Sequence, residues 1–410
     1  MKKYIHRISG CIPNTNKAVD INIDGRNLII TGGNGSGKTC LLTELNNKVK
    51  LLIADKKQAD LESIERQYRH KKDHLLKLQK GTTDYDNMKS WMDSIKKELD
   101  SIKLGLTIDI PNNIDFSSKF DDRAAVISFF KAERKSDITA ANTAKGIDSE
   151  KQFIKDNLNN KVLGNNLEQH LVNLRNRRSL AITEDDDHEL AKKIFDWFSH
   201  FEKDLQLLLE DETASLKFKS DTLKFTILQQ DKPEYTFQSL SSGYKAIFDI
   251  YADLLMRTEY YDVTPKDLVG TVFIDEIDAH LHVSLQRLIL PFFTQSFPKI
   301  QFIVTTHSPF VLMSAEDAVI YDLSKNEQID DNISMYSHTS IIEGLLGTKP
   351  TSQILDKYIN ELAEVINSDS INYPQLEILL DKLRGSVSTL DSKSKSFFML
   401  GENALLDKDQ

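Results

Sequence analysis

The chain has 410 residues, enough for a sizeable core and for two or three domains of about 150 residues each. Hydrophobic residues make up 40% and charged residues 28%, the balance of a folded chain rather than a disordered one, and no apolar run is long enough to span a bilayer. A net charge of −10 argues against binding nucleic acid by bulk charge, so any such contact needs a local basic patch or a partner.

The start, Met1-Lys2-Lys3-Tyr4-Ile5-His6, is too polar for a signal peptide. Cys11 and Cys40 are the only cysteines, so no disulfide framework is expected and the cytoplasm is the natural compartment. Residues 1–45 read as strand, turn, strand, glycine loop and helix. Asn27-Leu28-Ile29-Ile30-Thr31 is an apolar run between Gly25 and Gly32, as in a buried strand, and Lys38 to Lys48 follows as a helix.

From Asp55 to Leu104 the period changes. Leu61, Ile64, Tyr68, Leu75 and Leu78 fall at heptad spacing, with Lys71 in the one polar seam position. After Gly81-Thr82-Thr83 the pattern restarts at Tyr85, Met88, Met92, Ile95, Leu99 and Ile102. Two such seams around a tight break predict an antiparallel helical hairpin with arms of about 24 residues, about 36 Å each.

Ala124 to Phe130 predicts a strand, followed by the charged stretch Lys131 to Asp137. Residues 147–211 read as polar and mostly helical. Within them Glu184-Asp185-Asp186-Asp187 predicts an acidic first helical turn capped by Thr183. Residues 214–238 alternate as short strands, including Leu223 to Ile227. A helix follows from Ser242 to about Thr258, then a strand (Val269 to Asp275), a helix, a strand (Gln301 to Thr305), a short helix and a strand (Ala318 to Asp322). The last 60 residues predict helices, with Ile354, Tyr358, Leu362 and Ile366 on one stripe.

Four segments carry chemistry. Gly32-Gly33-Asn34-Gly35-Ser36-Gly37-Lys38-Thr39 matches the phosphate-loop pattern between a strand and a helix. Its glycines let the backbone wrap phosphates, and its amides and the helix N-terminus supply positive potential. Lys38 is placed to reach the β- and γ-phosphates of ATP, Thr39 to ligate Mg²⁺, and Cys40, next in the chain, to bind the nucleotide with the loop. Val272-Phe273-Ile274-Asp275-Glu276 is an apolar strand ending in two acids, which needs a partner for its charge. Mg²⁺ held by Asp275 and a water polarised by Glu276 provide one. Ser241, Ser242 and Gly243 open a helix, as an anion site does; a plain N-cap is the alternative reading. His307, in Thr305-Thr306-His307-Ser308-Pro309, sits just past a strand end, within reach of a γ-phosphate.

Together these resemble the ABC-type ATPase heads of the RecF, structural-maintenance-of-chromosomes and OLD group, and the Ile274 to Pro309 stretch resembles the OLD-type and defence-associated members. The resemblance implies an α/β fold, a P-loop ATPase head interrupted by the helical hairpin. It implies Glu276 as catalytic base, His307 as switch, and Ser241 to Gly243 as a signature that meets ATP bound on the opposite subunit. Asp278 then falls in the dimer-contact loop. The signature reads Ser-Ser-Gly-Tyr where transporters have Ser-Gly-Gly-Gln, and no unambiguous Q-loop glutamine is present; Arg134 stands in about that place and is expected near the phosphates. His280 and His282, two apart, belong to the loop after the acidic strand rather than to a metal pair. Arg175, Arg177 and Arg178 read as a solvated helix face.

The expected segments are 1–50, 106–146 and 213–350 for the head, 51–105 for the hairpin, 147–212 for a helical subdomain and 351–410 for a C-terminal helical segment. Residues 326–410 offer Asp407-Lys408-Asp409 but no strand before it, so no Toprim-like nuclease is expected in this chain. The resemblance extends to the ATPase subunits of anti-phage systems such as Septu, PARIS and some retrons. It implies a homodimer or higher oligomer around ATP and Mg²⁺ that controls a separate nuclease or toxin, away from any membrane. A RecF-like ATPase that binds DNA, and an ATP-locked scaffold with little turnover, are the alternatives.

Overall fold

The computed structural model describes residues 3–15, 17–78, 80–103, 105–134, 138–141, 143–146, 163–329, 341, 352–368 and 371–406. Expectations for residues 147–162 and for Asp407-Lys408-Asp409 lie outside them. The chain forms two compact units, Met1–Tyr336 and Ser337–Gln410.

In chain order the first unit runs β1 (Arg7–Cys11), β2 (Ala18–Asn22), β3 (Asn27–Thr31), α1 (Lys38–Ile53), α2 (Lys57–Leu75), α3 (Thr83–Lys103), β4 (Leu106–Asp109), α4 (Asn113–Asp121) and β5 (Ala125–Phe130). It continues with α5 (Leu167–Thr183), α6 (His188–Leu209), β6 (Ser215–Lys219), β7 (Lys224–Leu228), α7 (Ser242–Tyr261), β8 (Val269–Ile274), α8 (Val283–Ser296), β9 (Ile300–Thr305), α9 (Pro309–Ser314), β10 (Ala318–Asp322) and β11 (Glu327–Ile329).

The six-stranded sheet has the order β11-β10-β3-β9-β8-β5. All its pairs are parallel except β10 with β11. Every residue of β3 and β9 is buried, and so is β8 after Val269. Such uninterrupted apolar strands belong inside a parallel sheet covered on both faces. One cover is α1, whose Leu41, Leu42, Leu45, Val49 and Ile53 share a core with Ile8, Val19 and Ile21 of the antiparallel sheet β2-β1-β4. The same core takes in Leu28, Ile30, Phe273 and Ile303 of the large sheet. An aromatic chain forms a second cover: Tyr251 of α7 meets Phe292 of α8, which meets Phe293, which stacks on Phe302 of β9. Gly270 is required where β8 pairs β5. Its φ is +136°, and a Cβ there would lie 2.0 Å from the Val126 carbonyl oxygen.

The helices α2 and α3 pack against each other as the heptad seams imply. They span 19 and 21 residues, about 30 Å each and somewhat shorter than expected. Ile64, Tyr68, Lys71, Leu75, Leu78, Tyr85 and Met88 are half-buried and Met92 and Ile95 buried, while most other described positions on both arms are exposed. The side chains of Leu61, Leu99 and Ile102 fall outside the described set. Lys71 fits the seam because its ammonium lies 5.2 Å from the centre of the Trp91 ring.

Two local expectations are corrected. Thr183 ends α5 rather than capping a helix; Asp187 is the cap, its side chain accepting from the Leu190 amide at 2.9 Å. In the second unit α10 (Gln353–Ile366), α11 (Tyr373–Arg384) and α12 (Ser392–Leu406) enclose a core of Ile359, Leu362, Val365, Leu376, Leu379, Leu380, Leu383 and Phe398. Tyr358, Leu362 and Ile366 pack in this core, as the stripe implied, but Ile354 is 66% exposed and Ile359 and Val365 widen the buried face.

Candidate nucleotide-binding site

The strand order makes the site. The strand β9 lies between β3 and β8, so three adjacent carboxyl ends deliver the glycine loop, His307 and the acids to one edge. Asn34 and Gly35 are exposed, and a Cβ on Gly35 would meet nothing within 4 Å. Gly32, at φ +133°, is held from behind: a Cβ there would lie 2.8 Å from Ser324 Oγ, and that hydroxyl accepts from the Gly33 amide at 2.7 Å. Gly37, also left-handed, starts α1. Ser36 is buried, and its carbonyl accepts from Lys17 Nζ at 3.1 Å.

Lys38 is only 7% exposed, and its Nζ donates to Gly32 O at 2.9 Å and Gly33 O at 3.0 Å. Burial lowers its pKa, opposed first by Glu276 and then by Asp275, Asp278 and Asp322. The four carboxylates therefore surround the ammonium electrostatically. Cys40 is half-buried, its thiol donating to Pro13 O at 3.1 Å.

Thr39 and Asp275, 236 positions apart in sequence, meet directly: Thr39 Oγ1 donates to Asp275 Oδ2 at 2.9 Å. Thr305 Oγ1 donates to Asp275 Oδ1 at 2.6 Å and accepts from the Glu276 amide at 2.7 Å. Asp275 is thus buried and fixed at both oxygens, whereas Glu276 is exposed. Glu276 has φ +43°, a left-handed conformation uncommon outside glycine. Asp278 accepts from Thr306 Oγ1, next to His307. Burial and then the Lys38 ammonium pull the His307 pKa below its ordinary value, so the imidazole is neutral at pH 7.

Ser241 and Ser242 are exposed at the start of α7, and Ser241 makes no side-chain cap bond there. Gly243 is buried, and a Cβ there would lie 3.1 Å from His280 O. Among the described hydrogen bonds, none joins 241–243 to the glycine loop of the same chain. His280 and His282 are both exposed, and no metal-binding cluster of His, Cys, Asp or Glu occurs among the described residues.

Arg134 is committed elsewhere than the phosphates. Its guanidinium, 5% exposed, donates to the backbone carbonyls of Lys131 (3.1 Å), Asp275 (2.7 Å), Glu276 (2.9 Å) and Ile277 (3.2 Å). Burial lowers its pKa, and Asp249 of α7 leads the carboxylates that oppose the shift.

A family model described as "AAA domain, putative AbiEii toxin, Type IV TA system" matches residues 51–314, well over half of the chain. The chain belongs to this AAA-domain family. It is 41% identical over 105 residues to the retron Ec83 probable ATPase of Escherichia coli, a stretch covering 25% of this chain and 19% of that protein. It is 28% identical over 173 residues to the Septu protein PtuA of Bacillus thuringiensis, covering 38% of this chain and 43% of that protein. The matches therefore span less than half the length of these relatives. A crystal structure of an SMC head bound to the C-winged helix domain of ScpA aligns over 79% of this chain and 96% of that one, with a TM-score of 0.37 and 13% identity.

For an AAA-domain P-loop head the donor set fits Mg²⁺: a hydroxyl and a buried carboxylate, both hard oxygens, are already paired. Sequence reasoning missed Asp322, Ser324, Lys17 and Thr305. Asp322 is 1% exposed, accepts from the Ser324 and Lys325 amides, and its Oδ2 is buried with no hydrogen-bond partner. Its signal was present, since Ala318 to Asp322 is a second apolar strand ending in an acid. Lys17 had none, because only the fold brings its Nζ to Ser36 O and, at 2.8 Å, to Leu323 O.

Proposed function

We propose that this chain binds ATP with Mg²⁺, closes head to head with a second copy around two nucleotides, and uses binding and hydrolysis to control a separate nuclease or toxin in bacterial anti-phage defence. The reading rests on one arrangement: Lys38, Thr39, Asp275, Glu276 and His307 converge at adjacent strand ends, while Ser241 and Ser242 stand exposed and unengaged by their own loop. The Septu and retron likenesses supply the defence context. No described helix is long and apolar enough to cross a membrane.

In this mechanism the loop amides and Lys38 hold the phosphates, with Nζ turning its remaining N–H to the β- and γ-oxygens. Thr39 and Asp275 would hold Mg²⁺, which neutralises charge on the transferring phosphoryl group. Glu276 accepts a proton from the attacking water as the bond from the γ-phosphorus to the β,γ-bridging oxygen breaks, giving ADP and phosphate. Neutral His307 hydrogen-bonds the γ-phosphate.

A mixing experiment tests the paired site. Lys38→Ala removes the cation of the glycine loop. Ser242→Asp puts a carboxylate where the partner's phosphate would lie, yet an acid in a first helical turn favours folding. Each variant alone should be inactive. Mixed equally, they should recover about a quarter of the wild-type ATPase rate, since half of the dimers are mixed and each carries one intact site. A mixture no more active than its components overturns the paired-site reading.

A second reading, nucleic-acid binding, is favoured by the distal half of α2 and the turn after it. Arg66, Arg69, Lys71, Lys72, Lys77 and Lys80 share residues 66–80 with one acid, Asp73, and Arg69 also lies 3.8 Å from Glu65, within a chain of net charge −10. All but Lys71 are exposed, and Trp91, 40% exposed, stands beside Lys71. Replacing Arg69, Lys72 and Lys77 by Ser should weaken binding of a fluorescent DNA duplex and lower the salt slope by about 3, with ATP turnover in the absence of DNA unchanged. Unaltered DNA binding removes nucleic acid from this surface.

A further inference from the structure

Three consecutive carbonyls, those of Asp275, Glu276 and Ile277, point toward one place. Left alone, their dipoles would repel and their oxygens would be unsatisfied inside the protein. Arg134 fills that place. Its planar fork offers four terminal N–H groups, and four carbonyls take them: Nη1 serves Lys131 and Asp275, Nη2 serves Glu276 and Ile277. No terminal donor is left for a phosphate.

The turn held in this way is the one that carries the general base. Glu276 is left-handed at φ +43°, so its backbone needs support from its surroundings. From one side Thr305 Oγ1 accepts from the Glu276 amide, and from the other Arg134 takes the Glu276 carbonyl. The strand ladder leads into both: the Asp275 amide donates to Phe130 O at 2.9 Å, just before the chain leaves β5 toward Arg134. Asp249 on α7, the helix headed by Ser241 to Gly243, balances the buried charge.

We infer that Arg134 is a positioning residue: by clasping the carbonyls of residues 275–277 it fixes the strained turn that aims the Glu276 carboxylate at the attacking water. It acts through Glu276 and touches neither nucleotide nor metal. A lysine would keep the charge but, donating from a single nitrogen, would not span carbonyls that occupy both ends of the fork. The inference rests on the reading of Glu276 as the base.

The test separates turnover from binding in the full chain. Arg134→Ala should lower kcat about 100-fold, the scale of a displaced catalytic group, with the Kd of a fluorescent ATP analogue within about threefold of wild type. Millimolar guanidinium should restore part of that kcat in Arg134→Ala and none in Glu276→Gln. Arg134→Lys, the milder change should the alanine variant not fold, should show the same split between kcat and Kd. Wild-type kcat in Arg134→Ala overturns the inference, as does equal loss of kcat and affinity in both variants without rescue. Wild-type turnover in Glu276→Gln would instead sink the base assignment itself, whatever Arg134 does.

Discussion

Replacing Glu276 by Gln is expected to slow ATP turnover about 10²- to 10⁴-fold, the usual contribution of a general base, while ATP binding persists. Glutamine matches glutamate in size, so the left-handed turn, the Thr305 contact and the Arg134 clasp all survive, because each engages backbone atoms. The change removes only the acceptor for the water's proton. In the proposed cycle hydrolysis is the step that releases the dimer. Blocking it should therefore trap the closed form, seen by light scattering as a doubling of mass in saturating ATP and Mg²⁺ but not in ADP. A variant that stays monomeric under those conditions removes the sandwich from the account, and one that hydrolyses ATP normally removes Glu276 from catalysis.

The parts of this site readable in the sequence are those where one short segment carries its own physical contradiction. A run of glycines ending in lysine has no use in a core, and an apolar strand should not end in two acids; both pointed to anionic ligand and metal before any fold was known. The β3, β9 and β10 strands were legible for a related reason, since short unbroken apolar runs between turn residues fit buried parallel strands. The hairpin seams were legible through their period, Lys71 included. What stayed hidden depends on distance in the chain. Thr39 meets Asp275 and Thr305 braces both acids because β9 falls between β3 and β8, and Lys17 meets Ser36 and Leu323 only in the folded chain. Arg134 shows the same limit in another form. Its place after β5 suggested the phosphates, but neither spacing nor composition reveals that its four terminal N–H groups go to backbone carbonyls, three of them in the turn at Glu276. The α10 stripe failed only at Ile354, because the packed length of a helix is set by its neighbours and not by its own period.

Lys38→Ala is expected to abolish useful nucleotide binding and to leave the protein folded. The binding loss follows from charge. Removing one partner of a desolvated, hydrogen-bonded charge pair costs about 2–5 kcal/mol. At 1.4 kcal/mol per tenfold, that is about 30- to 4,000-fold in Kd for ATP. The folding outcome follows from the same burial. Lys38 is nearly inaccessible and burial depresses its pKa, so holding the charge there carries a cost that Glu276, Asp275, Asp278 and Asp322 offset only in part. Its bonds to Gly32 O and Gly33 O are lost in the variant, but those carbonyls sit on a loop bordering exposed Asn34 and Gly35 and accept water instead. Thermal melts separate the two effects. With ATP at 100 times the wild-type Kd, binding stabilises the native state by about 2.7 kcal/mol, and a 100-fold weaker site reduces that to about 0.4 kcal/mol. The variant should therefore melt near the wild-type temperature without nucleotide and gain almost nothing when ATP and Mg²⁺ are added. An undiminished ATP-induced shift would mean that the glycine loop does not hold the phosphates, and the assignments of Thr39, Asp275 and Glu276 would fall with it.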